Sequence, residues 1–267
     1  MGARRHAAAP LVEQFERRGG LDVLALSGLE GLDAVVTTRR GGASRAPYDG
    51  CNLGEHVGDD PAAVAANRAL LATAMGVAPV ALAIPHQVHG TGAVRVEHGD
   101  VAGDADVIGT EDPRVAVCVL VADCVPLLVC DAEAGVVALG HAGWRGTATN
   151  VAAATVALAV AMGADVERLA AYVGPRISGV AYQVGPEVAE ALGRAGLTDA
   201  VVADGFGSYL ADLGLANAAQ LIGAGVLPAR ITVSSQVTDG GERFFSHRAH
   251  QPCGRFALAA RLTPAAS

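Results

Sequence analysis

Apolar residues fill the middle of the chain in nearly unbroken blocks. "VAVCVLVA" (115–122) and "VPLLVCD" (125–131) show no alternation of polar and apolar positions, which predicts strands covered on both faces. "ADVIGT" (105–110) and "GVVALGH" (135–141) continue the pattern, and the turn residues "AEAG" predict that the second of these strands follows its neighbour directly. Further upstream, "LDVLAL" (21–26) and "DAVVTTR" (33–39) are short, β-branched and divided by a Gly-containing turn. That spacing predicts a hairpin. "PVALAI" (79–84) and "GAVRVE" (92–97) predict another strand pair, with the polar "HQVHG" at the join.

Helical signals differ in kind. Asp60-Pro61 supplies a cap and a first-turn proline, predicting a helix through about Met75 with Gly76 as its stop. "TATNVAAATVALAVAM" (147–162) predicts a second helix, ended by Gly163, and residues 185–196 and 212–226 predict two more. Strands are expected at 169–175 and 230–236 and once more at the end of "RFFSHRAHQPCGRFALAARL". Contiguous strands in the first half and helices mainly in the second predict an α/β (α+β) fold, a layered sandwich of mixed β-sheets flanked by helices. Residues 1–20 lack periodicity and read as a flexible tail, leaving 21–267 as a single domain. The Gly-, Asn- and Asp-rich stretch 40–60 predicts a long loop, and long loops in compact domains usually carry function.

Composition narrows the function. A chain of 267 residues with 51% hydrophobic positions can bury one large core, while a formal net charge of -8 without a basic stripe argues against a nucleic-acid surface. No signal peptide or run of about 18 apolar residues is present, so no membrane partner and a cytoplasmic location are expected. The five cysteines, at 51, 118, 124, 130 and 253, do not form a disulfide framework. Cys118 and Cys130 read as small buried hydrophobes. Nothing in the pattern demands an oligomer, and a monomer is expected.

Three soft-metal ligand types stand where strands stop: His89 in "HQVHG", Cys124 in "ADC" and His141 in "GHAGW". A catalytic zinc takes such a mixed set and keeps a fourth position open. Spacing alone also permits a core cysteine with two unrelated loop histidines. Gly140, Gly143 and Gly146 surround His141, and Arg145 follows at a helix start, a natural anion site. Arg39, before Gly41 and Gly42, is a second Gly-bracketed arginine beside a strand end.

"TTRRGG", "CNLGEHVGDD" with Asn67-Arg68, "QVHG", "ADCVPLL", "GHAGWRGT", "VGPRI" and "FFSHR", in that order over about residues 33 to 260, resemble the bacterial YfiH-like family. Its members are also called laccase-domain or multicopper polyphenol oxidase-type proteins and act as purine nucleoside phosphorylases with adenosine-handling activities. The resemblance implies a YfiH-like fold and zinc on His89, Cys124 and His141. It also implies that Arg39 helps hold phosphate, which makes Cys124, His89, His141 and Arg39 the expected catalytic set. Arg145, Gln87 and Asp106 are expected around nucleoside and phosphate, and His86 at the pocket rim. Where relatives commonly carry tyrosine and aspartate in "FFSYRRD", this chain has His247 and His250; Gln183 and Gln236 also depart from the pattern.

Three rival chemistries attach to the same residues. Cys124 as a nucleophile, with His141 or His89 as base and Asp123 as orienting group, gives a cysteine hydrolase of the kind that edits peptidoglycan precursors. Copper suits His and Cys, but a multicopper oxidase needs more histidines, in HxH pairs that this chain lacks. A structural zinc would need a fourth protein ligand.

Overall fold

The computed structural model describes residues 10–100, 102–205 and 207–263. Strands β1 (Val12–Arg18), β2 (Leu21–Ser27) and β3 (Leu32–Thr37) form an antiparallel meander, followed after the long loop by helix α1 (Pro61–Ala74). Next come β4 (Leu82–Ala83), β5 (Ala93–Arg95), β6 (Val107–Thr110), β7 (Ala116–Val121), β8 (Val125–Asp131) and β9 (Val136–Ala142). Helices α2 (Trp144–Ala148) and α3 (Val151–Ala161) precede β10 (Ala170–Val173), β11 (Gln183–Val184), α4 (Pro186–Arg194), β12 (Val201–Ala203) and β13 (Tyr209–Ala211). Helix α5 (Leu213–Gly223), β14 (Ile231–Val233) and β15 (Phe256–Leu262) complete the described chain.

Two six-stranded mixed sheets result, ordered β1-β2-β3-β15-β7-β4 and β14-β10-β8-β9-β6-β5, with a small sheet β11-β13-β12 beside them. The final strand, β15, is central: it lies antiparallel between β3 and β7, so the first sheet closes only when the end of the domain arrives. Strict alternation then builds the layers. Val117, Val119 and Val121 of β7 meet Leu128 and Cys130 of β8 and Val137 and Leu139 of β9 between the two sheets. The other set of positions on β8 and β9, Leu127, Val129, Val136 and Ala138, packs with α3 and α5. Ala116, Cys118 and Leu120, on the opposite side of β7, pack with Leu71 and Met75 at α1. The expected sandwich of mixed sheets flanked by helices is therefore present, and β7, β8 and β9 are buried on both faces as their unbroken apolar blocks predicted. Burying each Val or Leu of this core contributes about 1.5–3 kcal/mol.

Helix α1 starts as expected, with the Asp60 side chain accepting from the Ala62 N–H at 3.0 Å. The helix predicted over 147–162 is instead two. It begins earlier, at Trp144, and breaks at Asn150, whose left-handed φ of 66° lets its own side chain cap α3 by accepting from the Ala153 N–H. The tail reading also needs correction. Val12–Arg18 is a strand, paired over its whole length with β2 through a turn in which Gly19 and Gly20 both adopt positive φ. As an edge strand it faces solvent with most of its side chains, so it needs no apolar stripe and shows none. Residues 1–9 of the expected tail lie outside the described residues. Among the described residues no helix is long and apolar enough to cross a membrane.

Candidate functional site

The candidate site lies at one end of the sandwich, where β7 turns into β8, β9 ends and the chain enters β6. Asp106, fully buried just before β6, organises it. Its backbone carbonyl accepts from the His141 N–H at 2.8 Å, extending the β6–β9 ladder by one rung. Its carboxylate lies 2.8 Å from His141 Nδ1 and also accepts from the backbone N–H groups of Val88 (3.2 Å), His89 (3.0 Å) and Gly90 (2.6 Å). One side chain thus fixes both histidines: it orients the ring of His141 and wraps the 88–90 turn that presents His89. His89 pays for that turn with a φ of 61°, a left-handed conformation that costs a non-glycine residue about 1–2 kcal/mol.

Cys124 follows Asp123, another residue at positive φ (84°). The Asp123 carboxylate accepts from the Thr238 hydroxyl and, at 2.6 Å, from the Arg248 N–H, while its carbonyl accepts from the Ile177 N–H. These bonds pin three late loops to the β7–β8 junction. Asp123 therefore serves Thr238 and Arg248, and Asp106 is the carboxylate that orients a histidine. The cysteine hydrolase reading loses the orienting group it named.

The ligand atoms of His89, Cys124 and His141 all lie within 4.8 Å of one another. The two imidazoles meet edge to face, with centroids 4.7 Å apart. Gly143 shows how closely this space is shaped: a Cβ there would lie 2.8 Å from His89 Nδ1 and 3.1 Å from Cys124 Sγ. Its φ of -74° is ordinary, so glycine is required here for room and not for conformation. Two imidazole nitrogens and a thiol around a gap that a methyl group would fill form a donor set suited to zinc. His141 donates its Nδ1–H to Asp106, which leaves Nε2 for the gap; such carboxylate–histidine pairing is a recurrent support of metal ligands.

In the absence of an ion the groups of this cluster also shift one another's protonation. Burial would raise the Asp106 pKa, but the hydrogen bonds from His141 and from the Gly90 and Val88 N–H groups hold it below the usual carboxylate range. Burial would lower the His141 pKa, yet Cys124 and Asp106 together push it up to about 9. His89 is lowered, by burial and then by His141, with Asp106 opposing.

A cavity of about 520 Å³ opens on this cluster. Ile84, Pro85, Leu120 and Val121 give it an apolar wall, and Arg68, Arg255, His56 and His247 also line it. The long loop reaches it through Glu55 and His56, and His86 stands at its exposed edge, 2.9 Å from Asp104. Several expected site residues are engaged in other contacts, although the Arg145 charge reaches His89. Gln87 lines the cavity, but its amide both donates to and accepts from the Leu120 backbone, at 2.8 and 2.7 Å. Asp106 has no exposed surface, and its carboxylate is taken up by His141 and the 88–90 turn. Arg145 is exposed on α2, stacked on the Trp144 ring at 4.4 Å.

Arg39 lines a separate cavity of about 540 Å³ with Phe245, His250 and Cys253. There it donates to the Gly241 carbonyl, pairs with Asp49 at 3.2 Å and lies 4.9 Å from the centre of the Phe245 ring. Gln183 bonds Asp204 and Ser208 beside the small sheet, away from either cavity. Arg68, noted in a motif, was given no role by sequence reasoning and Arg255 escaped it; the available signal was Gly54, whose hydrogen side faces the Arg255 stem.

Residues 33–263 match the family described as multi-copper polyphenol oxidoreductase laccase. The chain belongs to this family. Within it, the chain is 40% identical to purine nucleoside phosphorylase Rv2149c of Mycobacterium tuberculosis over 225 residues, 84% of this chain and 89% of the relative. It is 38% identical to adenosine deaminase RL5 from an unknown prokaryotic organism over 235 residues, 82% and 89% of the two chains. Among solved structures, YlmD from Geobacillus stearothermophilus superposes with a TM-score of 0.87 at 32% identity, covering 96% of this chain and all of that one. The family resemblance expected from the motifs is thereby established, and so is the YfiH-like fold. The family's multi-copper title sits poorly with the site: among the described residues, a single group of three His, Cys, Asp or Glu side chains converges.

Proposed function

We propose that this chain is a zinc-dependent purine nucleoside phosphorylase that releases a purine base and ribose 1-phosphate from a nucleoside and inorganic phosphate. The observation that carries the reading is the convergence of His89, Cys124 and His141 in a cavity of nucleoside size with one apolar wall and a polar, charged remainder. Relatives named as purine nucleoside phosphorylases, matched over four-fifths of the chain or more, support it.

The three side chains would hold the ion, which when bound supplies Lewis-acid polarisation of the group it faces. The protein's own contributions are more specific. Asp106 fixes the ring of His141 in one tautomer and holds the 88–90 turn, so two of the three ligands are oriented before any ion arrives. Ile84, Leu120 and Val121 offer flat apolar contact to a purine. Phosphorolysis passes through a cationic sugar, so the attacking anion must be held against the ribose by positive charge.

Adenosine deamination is a second reading of the same site, supported by the relative named adenosine deaminase. The test is chromatography of products after incubating the metal-quantified protein with adenosine or inosine, with and without phosphate, beside Cys124→Ala. Phosphate-dependent release of adenine or hypoxanthine, lost with zinc in the variant, is expected. Inosine appearing from adenosine without phosphate would add the deaminase activity, and no purine product from fully zinc-loaded protein would sink both.

A further inference from the structure

Arg68 and Arg255 are far apart in sequence, yet one short segment holds both. The Leu53 carbonyl accepts from Arg68 Nε at 3.0 Å, and the Leu53 N–H donates to the Arg255 carbonyl at 3.0 Å. Beside it, fully buried Asn52 accepts from the Arg255 N–H at 2.8 Å through Oδ1, while its own carbonyl accepts from Asn67 on α1 at 2.8 Å. Gly54 completes the segment: a Cβ there would lie 2.8 Å from Cγ of Arg255. Residues 52–54 thus tie the Arg68 guanidinium and the backbone and stem of Arg255 to one strut, and both side chains line the same cavity.

The partners of these groups leave charge over. Arg255 Nη1 is held by the Cys253 and Gly254 carbonyls, both at 3.0 Å, which orient it without neutralising it. Arg68 has one carboxylate partner, Glu55 at 2.5 Å, whose side chain is 67% exposed. His56, on the same loop, has its pKa lowered first by burial and then by Arg255, His86 and Arg68, with Glu55 opposing, so positive charge outweighs negative at this wall. In a chain of net charge -8 such a field inside a cavity calls for an anion.

The geometry points to Arg68 and Arg255 as the binding site for inorganic phosphate, reached through the same cavity as His89, Cys124 and His141. This rests on the phosphorylase reading. A nucleoside is uncharged and offers nothing to the guanidinium charge left over after Glu55, whereas a phosphate dianion offers several acceptor oxygens to two donor forks. Arg39, spent on Gly241, Asp49 and Phe245 in the neighbouring cavity, has no part in it.

The test is direct binding of inorganic phosphate and of adenosine 5′-monophosphate to zinc-loaded protein, followed by calorimetry and phosphorus NMR, together with the KM for phosphate. Wild type is compared with Arg68→Gln, Arg255→Gln, the charge-keeping Arg68→Lys and Arg255→Lys, and Arg39→Gln. Each glutamine variant is expected to weaken phosphate binding and raise its KM at least about tenfold, with the nucleoside KM within about twofold and partial recovery in the lysine variants. Arg39→Gln is expected to stay close to wild type. Unchanged phosphate binding in both glutamine variants would overturn the assignment. So would loss in Arg39→Gln alone, no phosphate binding by wild type at millimolar concentration, or binding of the monophosphate ester without free phosphate. Binding is read without turnover. Arginine-dependent phosphate binding by a protein that releases no purine therefore supports the site while removing the phosphorylase reading.

Discussion

The carboxylate of Asp106 sits 2.8 Å from Nδ1 of His141 while the same group gathers the N–H of His89, so one buried anion sets the position of two candidate metal-ligand side chains. Asp106→Asn keeps the shape but replaces one oxygen by a donor, which cannot accept from both His141 and the 88–90 turn. The variant is expected to fold and to bind zinc about 10–100-fold more weakly. Zinc content after dialysis against a competing chelator, alongside circular dichroism, checks this; wild-type zinc retention would remove Asp106 from its positioning role.

Gly143 makes a sharper case, because the objection to a side chain there is purely spatial. Gly143→Ala puts a methyl group 2.8 Å from His89 Nδ1 and 3.1 Å from Cys124 Sγ, closing the gap between the ligands. Zinc binding and nucleoside turnover are expected to fall together by at least about tenfold, with the fold intact. Gly193→Ala is the control: it lies in α4 with no atom near the added Cβ, and the helix gains up to about 1 kcal/mol. Equal zinc occupancy in the two variants would show that the gap is not where the ion sits.

The candidate metal ligands were legible in the sequence because Cys124 and His141 close apolar runs and His89 sits in the polar join between two strands. His89, Cys124 and His141 needed only the order of the sheet to meet. Asp106 was visible as a pocket residue but not as the organiser, since its role depends on three backbone N–H groups from a turn 16 to 18 residues away. Arg68 and Arg255 were hidden for the same reason: what joins them is hydrogen bonding to residues 52–54, which no local pattern encodes. Arg39 illustrates the converse, a motif arginine that the fold directs into the adjoining cavity. Strand β1 was missed because an exposed edge imposes no hydrophobic period, although Gly19-Gly20 was a turn signal in plain view.

Stability should depend on acid through a pair far from the site. Asp131, 1% exposed at the end of β8, accepts from Arg168 at 2.8 Å and from the backbone N–H groups of Asp165 and Ala134. Burial alone would raise its pKa; Arg168 and the backbone bonds outweigh burial and hold it below the usual range. A depressed folded-state pKa contributes stability that is fully present above the unfolded value near 3.9 and is lost as pH falls through the folded value. Asp131→Asn is therefore expected to cost on the order of 2 kcal/mol at pH 7 and progressively less below pH 4. Urea unfolding across that range is the measurement, and a cost independent of pH would assign the effect to packing.

Cysteine chemistry separates the metal reading from the hydrolase. Burial pushes the thiols of Cys51 and Cys130 up to about 12 and that of Cys118 higher still, so all three stay protonated and enclosed in the native protein. Cys124 is partly exposed and opens on the cavity. Iodoacetamide at neutral pH is expected to modify Cys124 in the metal-free protein and to spare Cys51, Cys118 and Cys130, with zinc protecting Cys124. Peptide mapping reads the site of labelling, and activity is followed in parallel. On the zinc reading, chelation abolishes turnover and added zinc restores it. A cysteine nucleophile is lost on alkylation yet indifferent to chelation, so full activity after stripping the metal would move the function to hydrolysis with Asp106, rather than Asp123, behind His141.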